Sequence, residues 1–422
     1  MQSRKIEEID NNFIVPTSGS EKFTYFNIAE EVMKQKEILC DDISNAITQD
    51  KIINSFHISG FPWLKSNVST LSTIFAKVSD ENHKNLDITN KSNETMILKE
   101  SIESLFNSPF CRLDINSLKK FSPGIQYLAW CTSGGVIRFA SDTSAIALKV
   151  KLTSKDDMSH MPRTGSAGFD IYVGKGKCKK FIISAKPDSN QIEYEAVFEG
   201  INPNKEMQEW TLNMPLYNGV QELKIGLLPG SKIEKPTPYT IEKPVVFYGS
   251  SITQGGCASR PGNSYTHTLC RWLDTNMVNL GFSGSAKGEP EMAELISKID
   301  MSAFVMDYDH NAPDAKHLQD THEIFFRIIR DNNPELPVIF VSKPDFDANA
   351  LASAERRNVI CSTYENAVKS GDRNVYFVDG EILFGQNDRD ACTVDGCHPN
   401  DLGFMRMAEN IYPALKRALN FE

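Results

Sequence analysis

Between residues 106 and 228 apolar and polar positions alternate. In AIALKVKL (145–152) Ile146, Leu148, Val150 and Leu152 fall on one side and Ala and Lys on the other, the period of a half-buried strand. FDIYV, KKFIIS, IEYEAVF, EWTLNM and VQELKIGLL follow at short spacing, divided by Gly, Pro, Asn and Asp turn residues. This pattern predicts a β-sandwich of jelly-roll type. Residues 228–244, LPGSKIEKPTPYTIEKP, carry four prolines and few apolar side chains and predict an extended linker. Beyond it the pattern changes. VVFY (245–248), MVNL (277–280), AFVMDY (303–308), VIFV (338–341) and VYFV (375–378) are apolar on both faces, and helical stretches alternate with them near 263–274, 289–299, 314–331, 350–370 and 401–418. Strands of that kind, each followed by a helix, predict an α/β domain: a doubly wound parallel sheet covered on both sides. Ligands of such sheets sit beyond the carboxyl ends of the strands, so chemistry is sought in the loops there.

Three segments result: an N-terminal extension at 1–105, the β-sandwich and linker at 106–240, and the α/β domain at 241–422. The extension mixes a weak helical pattern, NIAEEVMKQKEILCDDISNAI, with polar tracts such as SDENHKNLDITNKSNET. Its apolar piece SFHISGFPWL (55–64) predicts a strand that joins the next domain, with His57 in a core or edge position. A chain of 422 residues exceeds one compact core, in keeping with more than one domain. The net charge of −10, with no long basic run, argues against a nucleic-acid partner. The sequence has no apolar leader-like segment and no stretch long enough to span a bilayer, so a cytoplasmic protein with no membrane partner is expected. Nine cysteines without C-x-x-C pairs suit reduced thiols, and zinc-ligand spacing is absent. Cys392 and Cys397 read as small apolar groups, and a redox role for them or for Cys257 is left open.

Four strand-end loops stand out: Gly249-Ser250-Ser251-Ile252-Thr253, Gly281-Phe282-Ser283-Gly284-Ser285, Asp309-His310-Asn311-Ala312-Pro313 and Asp395-Gly396-Cys397-His398-Pro399. In order and position they resemble the four signature blocks of the SGNH (GDSL-type) hydrolases, over residues 244–418. The resemblance implies a flavodoxin-like SGNH hydrolase domain. It also selects Ser251, third in its block and followed by an aliphatic residue, as nucleophile, and places Ser250 where many members have Asp. In the third block Asp309 stands for the family's Gly and Ala312 for its second Asp, while Asn311 is kept. Upstream, Gly168-Phe169-Asp170-Ile171-Tyr172 resembles the Gly-x-Asp-Leu-Tyr motif of the β-domain fused to one SGNH subgroup, similar to two-domain carbohydrate acetylesterases. GGCASRPG and DGCHPNDLGF resemble that subgroup as well.

The chemistry follows from the residue types. A serine hydroxyl is a weak nucleophile until a nearby imidazole takes its proton. Asp395 and His398, three apart, can share one turn, with the carboxylate holding Nδ1–H while Nε2 faces the serine. The family implies an oxyanion hole from Ser251 N–H, Gly284 N–H and the Asn311 amide. Arg260 and His310 are candidate substrate contacts, Asp170 and Tyr172 read as strand-to-turn architecture, and His317 and His322 are expected to be solvated. The expected activity is a serine esterase removing acetyl or other short acyl groups from a small-molecule or glycan ester, with no metal and no cofactor. The alternatives are a lysophospholipase or thioesterase for longer chains and an inactive carbohydrate-binding protein.

Overall fold

The computed structural model describes residues 19–28, 32, 55–71, 108–155 and 157–421. Most of the helical pattern at 27–47 and the polar tract at 79–95 fall outside the described residues. Two antiparallel sheets form the first unit. One runs β1 (Thr24–Asn27), β9 (Val220–Leu227), β4 (Ala145–Leu152), β7 (Glu193–Glu199). The other runs β10 (Ile233–Glu234), β3 (Val136–Ser141), β8 (Gln208–Asn213), β5 (Phe169–Val173), β6 (Lys180–Ala185), with β2 (His57–Ser59) also on β3. Their facing side chains make one core: Ile146, Leu148, Val150 and Leu152 meet Ile137, Phe139, Phe169, Ile171, Trp210 and Leu212. Each such aliphatic or aromatic side chain contributes about 1.5–3 kcal/mol on full burial.

Alternation along β4 is therefore right for the inner face and incomplete for the outer. Ala145 and Ala147, predicted on the polar side, are buried with Phe23 and Val197, and Tyr25 packs beside them. That cover comes from the chain just before and within β1, far away in sequence. The proline-rich stretch is likewise pinned rather than free. Buried Arg138 donates to Thr237 O at 2.7 Å and lies over the Tyr239 ring, while Glu209 accepts from Thr237 N–H at 2.9 Å.

The second unit is a parallel sheet in the order β12 (Thr275–Gly281), β11 (Ile241–Gly249), β13 (Ala303–Asp307), β14 (Val338–Val341), β15 (Val375–Val378), the doubly wound arrangement the sequence predicts. Its helices match the predicted stretches closely: Tyr265–Leu273, Pro290–Ile296, Ala315–Asn332, Ala350–Lys369 and Asp401–Ala418. Ser264, Asp314, Asn349 and Asn400 cap four of them by accepting from backbone N–H groups of the first turn. Within β11, Val245 and Phe247 point to the core shared with Tyr265–Leu273 and Asp401–Ala418. Val246 and Tyr248 point to the opposite core, shared with the other three helices.

That second core also contains Leu113, Ile115, Leu118, Phe121, Ile125, Leu128 and Trp130, from and around the turn Ile115–Lys120 and the short helix Pro123–Leu128. The chain at 111–131, predicted within the β-sandwich segment, thus covers part of the parallel sheet. Arg112 locks it there. Its guanidinium is fully buried and donates to Asn279 O (2.9 Å), Gly281 O (2.8 Å) and Leu128 O (2.7 Å), with the Phe282 ring 4.7 Å away.

Candidate active site

Strand register brings three of the four loops level. Gly249 pairs with Gly281 on one side and with Asp307 on the other, so the residues following each emerge at the same sheet edge. A side chain at Gly281 would not fit, because its Cβ would fall 2.2 Å from Gln254 N. That close approach lets the turn Ser251–Gln254 lie against the end of β12.

Ser251 opens this turn, capped by the Ser250 hydroxyl, which accepts from Ile252 N–H at 3.1 Å. The two serines are therefore distinct in their bonding: Ser250 holds the backbone, and Ser251 Oγ lies 3.0 Å from His398 Nε2. His398 Nδ1 lies 2.7 Å from Asp395 Oδ2. Asp395 Oδ1 accepts from the backbone N–H of His398 at 2.7 Å and of Cys397 at 3.0 Å, which closes the loop into a tight turn ahead of the Asn400-capped last helix. Partial burial pushes the Asp395 carboxyl up, but these bonds outweigh it and bring it down to about 2. His398 is held at about 9, first by its contact with Cys397, against a lowering by burial, and further by Asp395.

Gly284 adopts φ +63°, in the left-handed region, and a Cβ there would meet nothing within 4 Å, so its peptide borders open space. Asn311 Nδ2 donates one hydrogen to Phe282 O at 2.9 Å, which ties the third loop to the second and leaves the amide's other hydrogen. Asp309, the departure from the family's glycine, supplies the loop's support: Arg356 Nε donates to its carboxylate at 2.8 Å, Lys343 N–H donates at 2.8 Å, and Arg356 also reaches Ala312 O at 2.9 Å.

The β-sandwich unit reaches this edge as well. Tyr217 OH donates to Ser251 O (3.0 Å), and Ser133 Oγ donates to Gln254 O (2.6 Å). Gln254 bridges Leu216 O (3.1 Å) and Ser283 N–H (3.0 Å). The exposed His160, in the loop before β5, places its ring 5.7 Å from that of His398.

Arg260 and His310 separate. Arg260 donates to Asp170 at 3.1 Å and to Tyr172 OH, and its guanidinium lies 3.9 Å from the Phe181 ring centroid. Asp170, fully buried, also accepts from Gly262 N–H at 2.7 Å and Asn213 Nδ2 at 2.7 Å. Arg260, expected as a substrate contact, here also clamps the Gly-Phe-Asp-Ile-Tyr strand to the loop after Ser251. His310 stays at the site: its ring lies 6.4 Å from that of His398, its Nε2 3.0 Å from Cys397 Sγ and its Nδ1 3.3 Å from Asp345 Oδ1. Cys397 is thus no inert apolar group, whereas Cys392 is fully buried. His322 corrects another expectation. It is buried inside the helix layer, bonded through Nδ1 to Thr363 Oγ1 at 2.9 Å, and burial pushes its imidazole down to about 3. His317, more exposed, contacts Lys287 O through Nε2 at 2.7 Å.

Sequence reasoning misses His160, Tyr217, Gln254, Arg356 and Asp345, none of which lies in a signature block. Cys397 had a signal, since it sits between the Asp and His of the fourth block. Among the described residues two groups bring three ligand-type atoms within 4.8 Å of one another: His160, Asp395 and His398, and His310, Asp345 and Cys397. A cation in either would have to displace the contacts now made by the imidazole nitrogens of His398 and His310. Among the described residues no helix is long and apolar enough to cross a membrane.

Comparison with known proteins agrees with this architecture. Residues 242–416 match the GDSL-like lipase/acylhydrolase family model, and residues 86–233 match GxDLY, the N-terminus of SGNH-hydro-type esterases. A protein from Bacteroides ovatus ATCC 8483 described as a GDSL-like lipase superposes with a TM-score of 0.68 at 29% identity, over 75% of this chain and 93% of its own. The salicylyl-acyltransferase SsfX3 from a tetracycline biosynthetic pathway gives 0.61 at 19%, covering 74% of this chain and 89% of its own. An active-site mutant of a family two carbohydrate esterase from Clostridium thermocellum gives 0.50 at 15%, covering 69% and 93%. A search of curated proteins finds no match. With both units matched in order, residues 242–416 belong to the GDSL-like (SGNH) lipase/acylhydrolase family, and the β-domain ahead of them is of the GxDLY type found at the N-terminus of SGNH-hydro-type esterases.

Proposed function

We propose that the protein is a serine esterase that removes short acyl groups, acetyl foremost, from a polar carbohydrate ester through an acyl-enzyme on Ser251. One observation carries the mechanism: Ser251 Oγ, His398 and Asp395 stand in unbroken hydrogen-bond sequence, at 3.0 and 2.7 Å. In this reading neutral His398 accepts the Ser251 proton through Nε2 as the hydroxyl attacks the ester carbonyl, and Asp395 steadies the imidazolium that forms. Ser251 N–H, Gly284 N–H and the second hydrogen of the Asn311 amide stabilise the oxyanion. His398 then returns the proton to the leaving alcohol, and a water attacks the acyl-enzyme with the same base.

The substrate class rests on the side chains of the loops around His398. His160, His310, Asn311 and Cys397 offer polar or charged contacts, and the second and third loops offer no apolar run to bury an alkyl chain. Each methylene a pocket buries contributes about 0.8 kcal/mol, so a long-chain enzyme gains only where large aliphatic residues line the site. The carbohydrate esterase among the structural neighbours motivates acetylated sugars as test substrates. The test measures kcat/KM on 4-nitrophenyl esters from acetate to octanoate, with an acetylated sugar competing against a lysophospholipid. A fall with chain length and a win for the sugar support the reading. A rise with chain length replaces it with a lipid or thioester hydrolase.

A further inference from the structure

Beside the serine lies a second constellation of the same form. Cys397 Sγ is 3.0 Å from His310 Nε2, and the opposite ring nitrogen, Nδ1, is 3.3 Å from Asp345 Oδ1. The order is nucleophile, imidazole, carboxylate, with the imidazole between its partners. A chelate would instead turn donors from three residues toward one point, and the two contacts of His310 run from opposite sides of its ring. The Asp345 side chain is only 6% exposed, and its Oδ1 approaches His310 Nδ1 without a straight hydrogen bond. Lys343 Nζ lies 3.4 Å from the same carboxylate. The thiol itself is partly accessible, unlike Cys111, Cys131, Cys257, Cys270 and Cys392, which are buried.

We propose that Cys397, His310 and Asp345 form a thiolate site on the rim of the Ser251 cleft, that its ligand class is the low-molecular-weight disulfide, and that the mixed disulfide closes the hydrolase site. In the step proposed, the Cys397 thiol gives up its proton to solvent, and the charged His310 imidazole holds the resulting thiolate through Nε2–H. The thiolate attacks one sulfur of RS–SR, the S–S bond breaks, a Cys397 S–SR bond forms and the other half leaves as RS⁻. The reverse exchange with a free thiol reopens the cleft. Electrostatics favour the first step: burial pushes the Cys397 thiol up, but His310 and then His398 outweigh it and bring it to about 7, where a large fraction is thiolate at neutral pH. Closure follows from position, since Cys397 immediately precedes His398 and an adduct on its sulfur shares the cleft with the Ser251–His398 pair. Closure rests on the reading of Ser251 as nucleophile; the reactivity of the thiol does not.

The experiment exposes the full-length protein to oxidised glutathione, follows adducts residue by residue by mass spectrometry and assays ester hydrolysis in the same samples. The exposed Cys178 is the internal reference. A thiolate fraction larger than that of a free thiol at about 8.5, partly offset by lower intrinsic nucleophilicity, predicts labelling of Cys397 about three- to six-fold faster than a free thiol's and faster than that of the exposed reference. His310→Gln should remove that excess and Asp345→Asn should reduce it, with Cys178 unchanged in both. Hydrolysis should fall in proportion to the Cys397 adduct and return with dithiothreitol, and Cys397→Ala should hold its own untreated activity under the same exposure. Labelling no faster than Cys178, or labelling indifferent to both variants, overturns the thiolate site. Full labelling with hydrolysis intact overturns closure. Labelling is read in Ser251→Ala protein as well: if that variant still hydrolyses esters, the serine reading fails while the thiol result stands.

Discussion

Two imidazoles meet at the edge of the parallel sheet, and their surroundings differ. His398 sits on a loop, between a hydroxyl and a carboxylate whose side chain is 36% exposed, with a short bond of 2.7 Å to that carboxylate. His310 sits at the end of a central strand, between a thiol and a carboxylate that is nearly buried, with a longer and bent approach of 3.3 Å. A hydroxyl needs a base that turns over protons during the reaction, which favours a well-aligned imidazole. A thiol needs only to be held as its anion, which a permanently charged imidazole achieves. Burial opposes that charge on His310, but Asp345 and Cys397 outweigh it and hold the ring protonated up to about 10. The contrast poses a testable question, whether one residue order serves catalysis or anion storage according to alignment.

The largest effect expected on this contrast comes from the serine. Ser251→Ala should reduce ester hydrolysis by about 10⁵- to 10⁶-fold in kcat with the fold intact by circular dichroism, judged against losses for triad nucleophiles. Ser250→Ala should cost about 1 kcal/mol of stability through its lost cap and leave hydrolysis standing. Were Ser250→Ala the dead variant, the two serines would have to exchange roles. Next come the carboxylates. Asp395→Asn should lower kcat by about 10⁴-fold by presenting the wrong imidazole tautomer. Asp345→Asn should change kcat by less than about tenfold, and equal losses from the two would erase the distinction between the relays. Asn311→Ala should lower kcat by about 10²- to 10³-fold with little change in KM, because the amide acts on the transition state. An unchanged kcat would remove Asn311 from the oxyanion hole.

The smallest effect is a shift in pH. His398 must be neutral to accept the serine proton, and its imidazole is raised to about 9. Hydrolysis should therefore climb with pH through that range, and kcat/KM against pH gives the midpoint. Cys397 is the leading cause of the rise, so Cys397→Ala should move the midpoint acid-ward, toward the ordinary imidazole value of about 6.5. A midpoint that stays in place would mean that Cys397 and His398 titrate independently.

Local patterns carried the elements, and distant contacts carried most of what surprised. The run AIALKVKL names its strand to the residue, because alternation is a property of eight consecutive positions. The burial of its Ala145 and Ala147 depends on Phe23, more than a hundred residues earlier, and no period encodes it. The four loops could be read because each carries its own turn residues, and the meeting of the first three follows from the strand register. Asp345 and His160 belong to loops without a distinguishing pattern and reach the site only through the packing of whole units. His322 departs from the solvated face expected of a polar helix position because Thr363 on the neighbouring helix satisfies its imidazole in the interior.

Arg112 and the chain around it also bear on how the molecule is made. The side chain bonds to Asn279 O, 167 positions later, so the apolar residues at 111–131 leave the ribosome well before the strands they cover. At about 5–20 residues per second they wait for roughly ten to thirty seconds with their greasy face unmatched. A nascent chain stalled after the β-sandwich should accordingly present that face to chaperones, and release should coincide with the emergence of the sheet. What the sequence divides into two consecutive units is, for the translating cell, a single closure that finishes near the carboxyl end.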